Sequence, residues 1–317
     1  MKAVLLDWAT MGPDLDIGEM RTLLPDLTLY DETEPHEMPE RIVDADIVLG
    51  NKVLLRDAIM EGAPKLKFIG LTATGVDNVD IEAARDRGIA VCNIRAYCTE
   101  SVAEHVFGCL LSLAHNLEPY AADVRDGAWQ NAGVFSFLTH PISELSEMTL
   151  GLVGYGELGQ GVARIAAAFG MEVIISARPG SDEVPDDRVS FDELLERSDV
   201  ISLHCPLTDS TRGLFGAEQF RRMKNTAILI NTARGALVDS QALADALSNG
   251  DIRAAAIDVL PKEPPVDGDP LLDYDGANLI VTPHIAWGTR RARQNAIDEL
   301  TANISAWLNG ERRCRVD

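Results

Sequence analysis

Apolar positions along this chain come in short runs separated by stretches of helical period. In the first hundred residues the runs fall at Lys2 to Asp7, Leu27 to Tyr30, Asp46 to Gly50, Leu66 to Ala73 and Ile89 to Asn93. Strand-length runs alternating with helices predict a parallel α/β sheet. From Thr99 a long helix is expected, with Val102, Val106, Leu110 and Leu113 on one stripe. A further segment, Leu117 to Trp129, leads into a loop with Phe135, Phe137 and Leu138, more apolar surface than a linker needs.

At Thr149 to Gly170 an apolar run meets a glycine cluster and becomes an alanine-rich helix. Gly154, Gly156 and Gly159 stand in G-x-G-x-x-G spacing around Glu157 and Leu158, a dinucleotide-binding signature when strand precedes and helix follows. The first glycine allows the turn, the second lets a pyrophosphate approach bare backbone, and the third lets helix pack on strand. Strand-like runs then recur at Glu172–Ala177, Asp199–Cys205, Ala227–Thr232, Ala254–Leu260 and Asn278–Thr282, making six parallel strands in a doubly wound layout. The division expected is residues 1–98 plus 287–317 as a substrate domain, and 99–286 as the dinucleotide-binding domain.

Composition narrows the partners. Fifty acidic against 28 basic residues give a net charge of −22, which repels phosphate backbones and anionic lipid, so neither nucleic acid nor membrane is expected. Five scattered cysteines without a C-x-x-C pair fit a reducing cytoplasm. No run reaches membrane-span length, and no signal peptide or metal site is read.

Ligands of open parallel sheets gather at strand C-terminal ends, which singles out Cys205-Pro206, Thr232-Ala233-Arg234, Asp258, Glu263 and His284. Arg234 offers a charged fork for a carboxylate or carbonyl. His284 suits proton transfer near neutrality. Glu263, between prolines, is placed to favour the imidazolium. In the first half, Gly50-Asn51-Lys52 and Thr72 to Asp77 end strands, and the second loop offers successive N–H groups for a carboxylate.

These segments together resemble the D-isomer-specific 2-hydroxyacid dehydrogenases over nearly the whole chain. The motifs are Ala73-Thr74-Gly75-Val76-Asp77-Asn78, Ser101-Val102-Ala103-Glu104-His105, Val153 to Gly159, His204-Cys205-Pro206-Leu207-Thr208, Asn231-Thr232-Ala233-Arg234-Gly235, Glu263-Pro264 and Thr282 to Trp287. The resemblance implies a flavodoxin-like substrate domain and a Rossmann domain with a cleft between them, the chain returning to the first domain through a helix over 289–309. It implies Arg234 as substrate-binding arginine, His284 as acid/base, Glu263 as its partner and Asp258 beside the nicotinamide. It also implies that Thr74, Gly75 and Val76 grip the substrate carboxylate through N–H groups, with Trp287 bordering the pocket, while Asn51 is a substrate-binding candidate from its strand-end loop alone. Within the family, Pro283 to Trp287 is most similar to members that interconvert hydroxypyruvate and glycerate. The expected reaction is reduction of hydroxypyruvate or glyoxylate to a D-2-hydroxy acid. A homodimer built through the cofactor domain, with Asn116 to His140 at the contact, is also implied. With only a short tail after the last expected helix, the extra regulatory domain of long phosphoglycerate dehydrogenases is not expected. The alternatives sharing these motifs are a nucleotide-sensing corepressor-like module and a formate or phosphite dehydrogenase.

One position departs from the common pattern. An acidic residue for the adenosine ribose is expected about 20 residues beyond the glycines. Here that strand ends Ile175-Ser176-Ala177, followed by Arg178-Pro179-Gly180-Ser181. With Ala177 in place of the carboxylate and Arg178 beside it, NADP(H) is favoured, with NAD(H) as the alternative.

Overall fold

The computed structural model describes residues 1–181 and 183–317. The chain divides into two compact units, Met1–Cys98 with Gly288–Asp317, and Thr99–Trp287.

The first unit is built on β1 (Lys2–Leu5), β2 (Asp26–Leu29), β3 (Ile47–Gly50), β4 (Phe68–Leu71) and β5 (Ala90–Cys92). They form a parallel sheet in the order β2-β1-β3-β4-β5. This is the flavodoxin-like order, and its strands read as nearly continuous apolar runs because helices cover both faces. Val4, Val48, Ile69 and Val91 from four of these strands share one core cluster. The closing helix, Arg290–Leu308, belongs to this unit. It seats against β4 because Gly70 has no side chain: a Cβ there would lie 2.6 Å from Leu300 Cδ1. Trp307 packs on Phe68 with ring centroids 5.0 Å apart. Beyond the helix the chain pairs once more with β5, Arg315 opposite Cys92.

The second unit carries β6 (Thr149–Val153), β7 (Glu172–Ile175), β8 (Val200–Leu203), β9 (Ile228–Asn231), β10 (Ala254–Ile257) and β11 (Leu279–Val281). All pair in parallel, in the order β11-β10-β9-β8-β6-β7. An isolated parallel bridge between Ser176 and Val189 adds a rudiment of one more strand outside β7. The order therefore reverses at β6, and the crevice between the ends of β6 and β8 is the switch point at which open α/β sheets bind ligands. The two sheets bear out the α/β, doubly wound expectation, with each strand falling on its apolar run and only β2 beginning one residue before it, at Asp26. The Thr99–His115 helix packs on the helix Glu157–Ala168. Gly161 makes this close approach possible, since a Cβ there would sit 2.6 Å from Thr99 Cγ2, and Phe107 stacks on Phe169 at 5.3 Å.

Candidate active site

The fingerprint loop has the geometry that a dinucleotide requires. Gly154 adopts a φ of +99° and presses so closely on the next strand end that a Cβ would lie 2.6 Å from the His204 carbonyl carbon and the Cys205 nitrogen. A Cβ on Gly159 would lie 2.4 Å from Gly154 O. By contrast, a Cβ on Gly156 would meet nothing within 4 Å. The backbone here faces open space, which is where a pyrophosphate would lie. Gly156 is also the N-cap of the Glu157–Ala168 helix and supplies no side-chain cap, so the helix-end N–H groups keep their affinity for an anion. The residues present thus fit a dinucleotide. Glu157, exposed at the first helical position, bonds the Thr99 hydroxyl. Leu158 follows it, partly buried.

Across the crevice, His204 accepts or donates at Nε2 with Ser202 Oγ, 2.8 Å away, while its buried Nδ1 has no hydrogen-bond partner among the described residues. Desolvation pushes its pKa down to about 4, so the ring is neutral at physiological pH. Burial likewise pushes the Cys205 thiol up to about 11. A neutral histidine and a neutral thiol leave this wall without charge beside exposed Pro206.

At the far end of β7, Ala177 is buried and its N–H donates to Val189 O at 2.7 Å. Exposed Arg178 opens a tight turn closed by Ser181 N–H to Arg178 O at 3.0 Å. Among the described residues, 177 to 181 place no carboxylate at the strand end.

The chemistry-bearing residues of the second unit cluster beyond β9, β10 and β11. After β9, the buried amide of Asn231 folds the loop: its Oδ1 accepts from Ala233 N–H at 3.0 Å and its Nδ2 donates to Arg234 O at 2.9 Å. Arg234 is half-buried and its Nη1 donates to Ala233 O at 2.8 Å. Thr232 Oγ1 is buried without a partner among the described residues. Next comes Gly235, where a Cβ would fall 2.0 Å from the carbonyl carbon of Leu260. Glycine at this point sets the arginine loop directly on the loop bearing Glu263.

After β10, Asp258 is 2 % exposed and serves as a hub. It accepts N–H groups from Ile285 and Ala286, both at 2.9 Å, and the Thr282 hydroxyl. His105, from the long helix, completes the cluster with Nε2 3.2 Å from Thr282 Oγ1 and 3.7 Å from Asp258 Oδ1. These bonds pin the turn that carries His284, whose backbone is left-handed at φ +57° and whose N–H donates to Asp258 O at 2.8 Å. Such a conformation is uncommon outside glycine, and its cost is met by the bonds around it. His284 Nδ1 lies 2.6 Å from Glu263 Oε2, and the other carboxylate oxygen accepts Leu260 N–H at 2.9 Å. Because a carboxylate only accepts, Nδ1 carries the proton and Nε2 is the atom left for a reactant. Trp287 donates its indole N–H to His284 O at 3.0 Å. A cavity of about 410 Å³ opens here, lined by Asp258, Leu260, Glu263, Pro264, Pro265, Leu272, Val281, Thr282, Pro283 and His284.

In the first unit, Asn93 Nδ2 donates to Thr74 O at 2.8 Å and fixes the loop that runs through Gly75 and Val76. Asn51 is buried, and its amide turns inward to Thr10 Oγ1 at 3.1 Å, which leaves Lys52 as the exposed residue of its loop. Buried Asp7 holds that loop by accepting the N–H groups of Asn51, Lys52 and Val53. Burial pushes the Asp7 carboxyl up, against the backbone N–H groups of Lys52, Asn51 and Val53, which favour its charged form.

Sequence reasoning passed over Asn231, Thr282, His105 and Asp7 as working parts. Asn231, Thr282 and His105 stood inside quoted motifs, and the available signal was polar residues at buried strand and helix positions.

A parallel sheet with a glycine cradle at its switch point, and an arginine, a carboxylate–imidazole pair and a buried aspartate beyond its other strands, defines a nicotinamide-dependent oxidoreductase. Residues 107–286 match the family model described as D-isomer specific 2-hydroxyacid dehydrogenase, NAD binding domain. The chain belongs to the D-isomer specific 2-hydroxyacid dehydrogenases, enzymes that interconvert 2-oxo acids and D-2-hydroxy acids with a nicotinamide dinucleotide. It is 45% identical over 284 residues to glycerate dehydrogenase of Methylorubrum extorquens, covering 89% of each chain. To hydroxypyruvate reductase of Blautia hydrogenotrophica it is 37% identical, covering 98% of each. Among solved structures, an acyclic imino acid reductase in complex with NADPH and D-Arg superposes with a TM-score of 0.87 at 28% identity, over all of both chains.

Proposed function

We propose that this enzyme reduces a small 2-oxo acid, hydroxypyruvate or glyoxylate, to the D-2-hydroxy acid, with NADPH preferred over NADH. The observation that carries the catalytic reading is the 2.6 Å contact of His284 with Glu263, on a turn pinned by Asp258. The reduced nicotinamide, when bound, supplies the hydride. Glu263 stabilises the imidazolium, and His284 Nε2 delivers a proton to the oxygen that gains charge at the carbonyl. Arg234 holds the substrate by its planar fork. Asp258 stands beside the nicotinamide, Trp287 borders the substrate, and the N–H groups of Thr74 to Val76 bind the carboxylate. Gly154 to Gly159 would hold the pyrophosphate, and Cys205, Pro206, Thr232 and Ala233 would line the cofactor. Inward-turned Asn51 acts through its loop.

The cofactor preference is supported by Ala177 and Arg178 at the end of β7, and the substrate class by the names of the relatives at 37–45% identity. The enzyme is further proposed to be cytoplasmic and a homodimer through the second unit.

The catalytic reading is tested by substitution. His284→Ala should cost on the order of 10²-fold or more in kcat while sparing cofactor affinity. Glu263→Gln, which removes the charge that favours the imidazolium, should move the alkaline limb of the reduction rate to lower pH. Near-normal turnover in the first variant, or an unmoved profile in the second, would remove that residue from the mechanism.

A further inference from the structure

We infer that Arg188 is a second guanidinium for the adenosine 2′-phosphate of NADP(H), so that cofactor choice is shared between two arginines near the end of β7. This rests on the NADPH preference proposed above and deepens it.

The argument begins with the short bridge outside β7. Val189 N–H donates to Ile175 O at 2.9 Å and Ala177 N–H donates to Val189 O at 2.7 Å, which places residue 189 on the outer edge of β7. On the inner edge lies β6, whose loop carries Tyr155 between two fingerprint glycines. Arg188 leads into the outer bridge, yet its Cζ lies 5.2 Å from the centroid of the Tyr155 ring. Its side chain therefore spans the breadth of β7 at the end where a carboxylate would meet the adenosine ribose of NAD. In this chain the strand-end position holds Ala177, so a cation passes over the place from which the anion is missing.

The guanidinium is both held and available. The aromatic face fixes its position at low energetic cost. Its acidic contact, Asp187 Oδ2 at 3.4 Å from Nε, is long, and the Asp187 side chain is 74% exposed. A solvated pair of that length contributes little, so the NH2 groups of the fork remain able to turn to a phosphate. Arg178, exposed in the turn after β7, approaches from the strand end itself. The acidic residues Glu183, Asp186 and Asp187 lie on the same connection and are exposed. One arginine against that field would be outweighed, whereas two give the 2′-phosphate a positive setting.

Calorimetric binding of 2′,5′-ADP and 5′-ADP to the full-length enzyme separates this from the broader reading, because it reads the adenosine end without turnover. The unmodified protein should bind 2′,5′-ADP more tightly. Arg188→Ala should weaken 2′,5′-ADP by about tenfold or more, the loss of a charge-assisted contact, while 5′-ADP changes less than about twofold. Retained 5′-ADP binding also shows that the variant is folded. If the unmodified protein does not discriminate, the NADPH preference fails and this inference with it. If it discriminates, but Arg178→Ala abolishes the preference and Arg188→Ala leaves it intact, the preference stands and the role of Arg188 is overturned. Equal weakening of both ligands by Arg188→Ala would likewise overturn it.

Discussion

At the scale of single residues, the site separates into groups that face a ligand and groups that hold them. The positions of Arg234, Glu263 and His284 beyond strand ends of the fingerprint-bearing sheet were legible in the sequence, because each follows an apolar run. Thr282 and His105 were not, because their pairing depends on a distance the sequence does not display: they are 177 residues apart in the chain, yet Thr282 Oγ1 and His105 Nε2 lie 3.2 Å apart. His204 is also of this second kind and gives a pH test. The residue is half-exposed overall, but its Nδ1 is enclosed, and desolvation holds the folded pKa near 4, below the ordinary value of 6.5. Below pH 6.5 the unfolded chain takes up a proton that the folded chain refuses until about pH 4, so stability present at neutral pH is lost on acidification through that window. Between pH 6.5 and pH 5, urea unfolding of the ligand-free protein should show His204→Gln losing up to about 2 kcal/mol less than the unmodified chain. Parallel losses in the two proteins would show that His204 titrates normally.

At the scale of elements, the apolar runs located every strand, since buried parallel strands are apolar throughout and stand out from amphipathic helices. The rudimentary strand at Val189 was missed. A single bridge leaves no run to read. The segment after the Thr99–His115 helix was read as a contact surface, and its structure allows a specific test. The helix Leu117–Arg125 and the loop that returns to Pro141 are fastened together by Tyr120 to His140 O at 2.7 Å, His140 to Asp123 at 2.8 Å and Asn116 to Pro141 O at 2.6 Å. The loop nevertheless presents Phe135 at 93% and Leu138 at 76% exposure, beside Val134 and Trp129. An internally tied loop that turns large apolar side chains outward has the character of an interface. Light scattering at micromolar concentration should give the mass of a dimer, and Phe135→Asp with Leu138→Asp should shift it toward monomer. A monomer in the unmodified protein would contradict this assignment.

At the scale of the whole molecule, two sheets differ in strand order, and the one in the order β11-β10-β9-β8-β6-β7 carries both the glycine fingerprint and the His284–Glu263 contact. The sheet architecture and the family were legible because glycine spacing and strand-end chemistry are local in sequence. Substrate size and cofactor choice were less so, because each depends on side chains brought together from separate loops. A net charge of −22 also means that anionic substrate and cofactor meet a repulsive average field, so their binding relies on local cation and N–H groups. The central claim, an NADPH-dependent reductase of small 2-oxo acids, is tested most directly by initial rates on hydroxypyruvate, glyoxylate and pyruvate with each reduced cofactor. The account expects the highest kcat/KM for hydroxypyruvate or glyoxylate with NADPH, and D-glycerate as the product from hydroxypyruvate. Equal or better efficiency with NADH would contradict the cofactor reading, and no oxidation of either cofactor by any of the three acids would contradict the account as a whole.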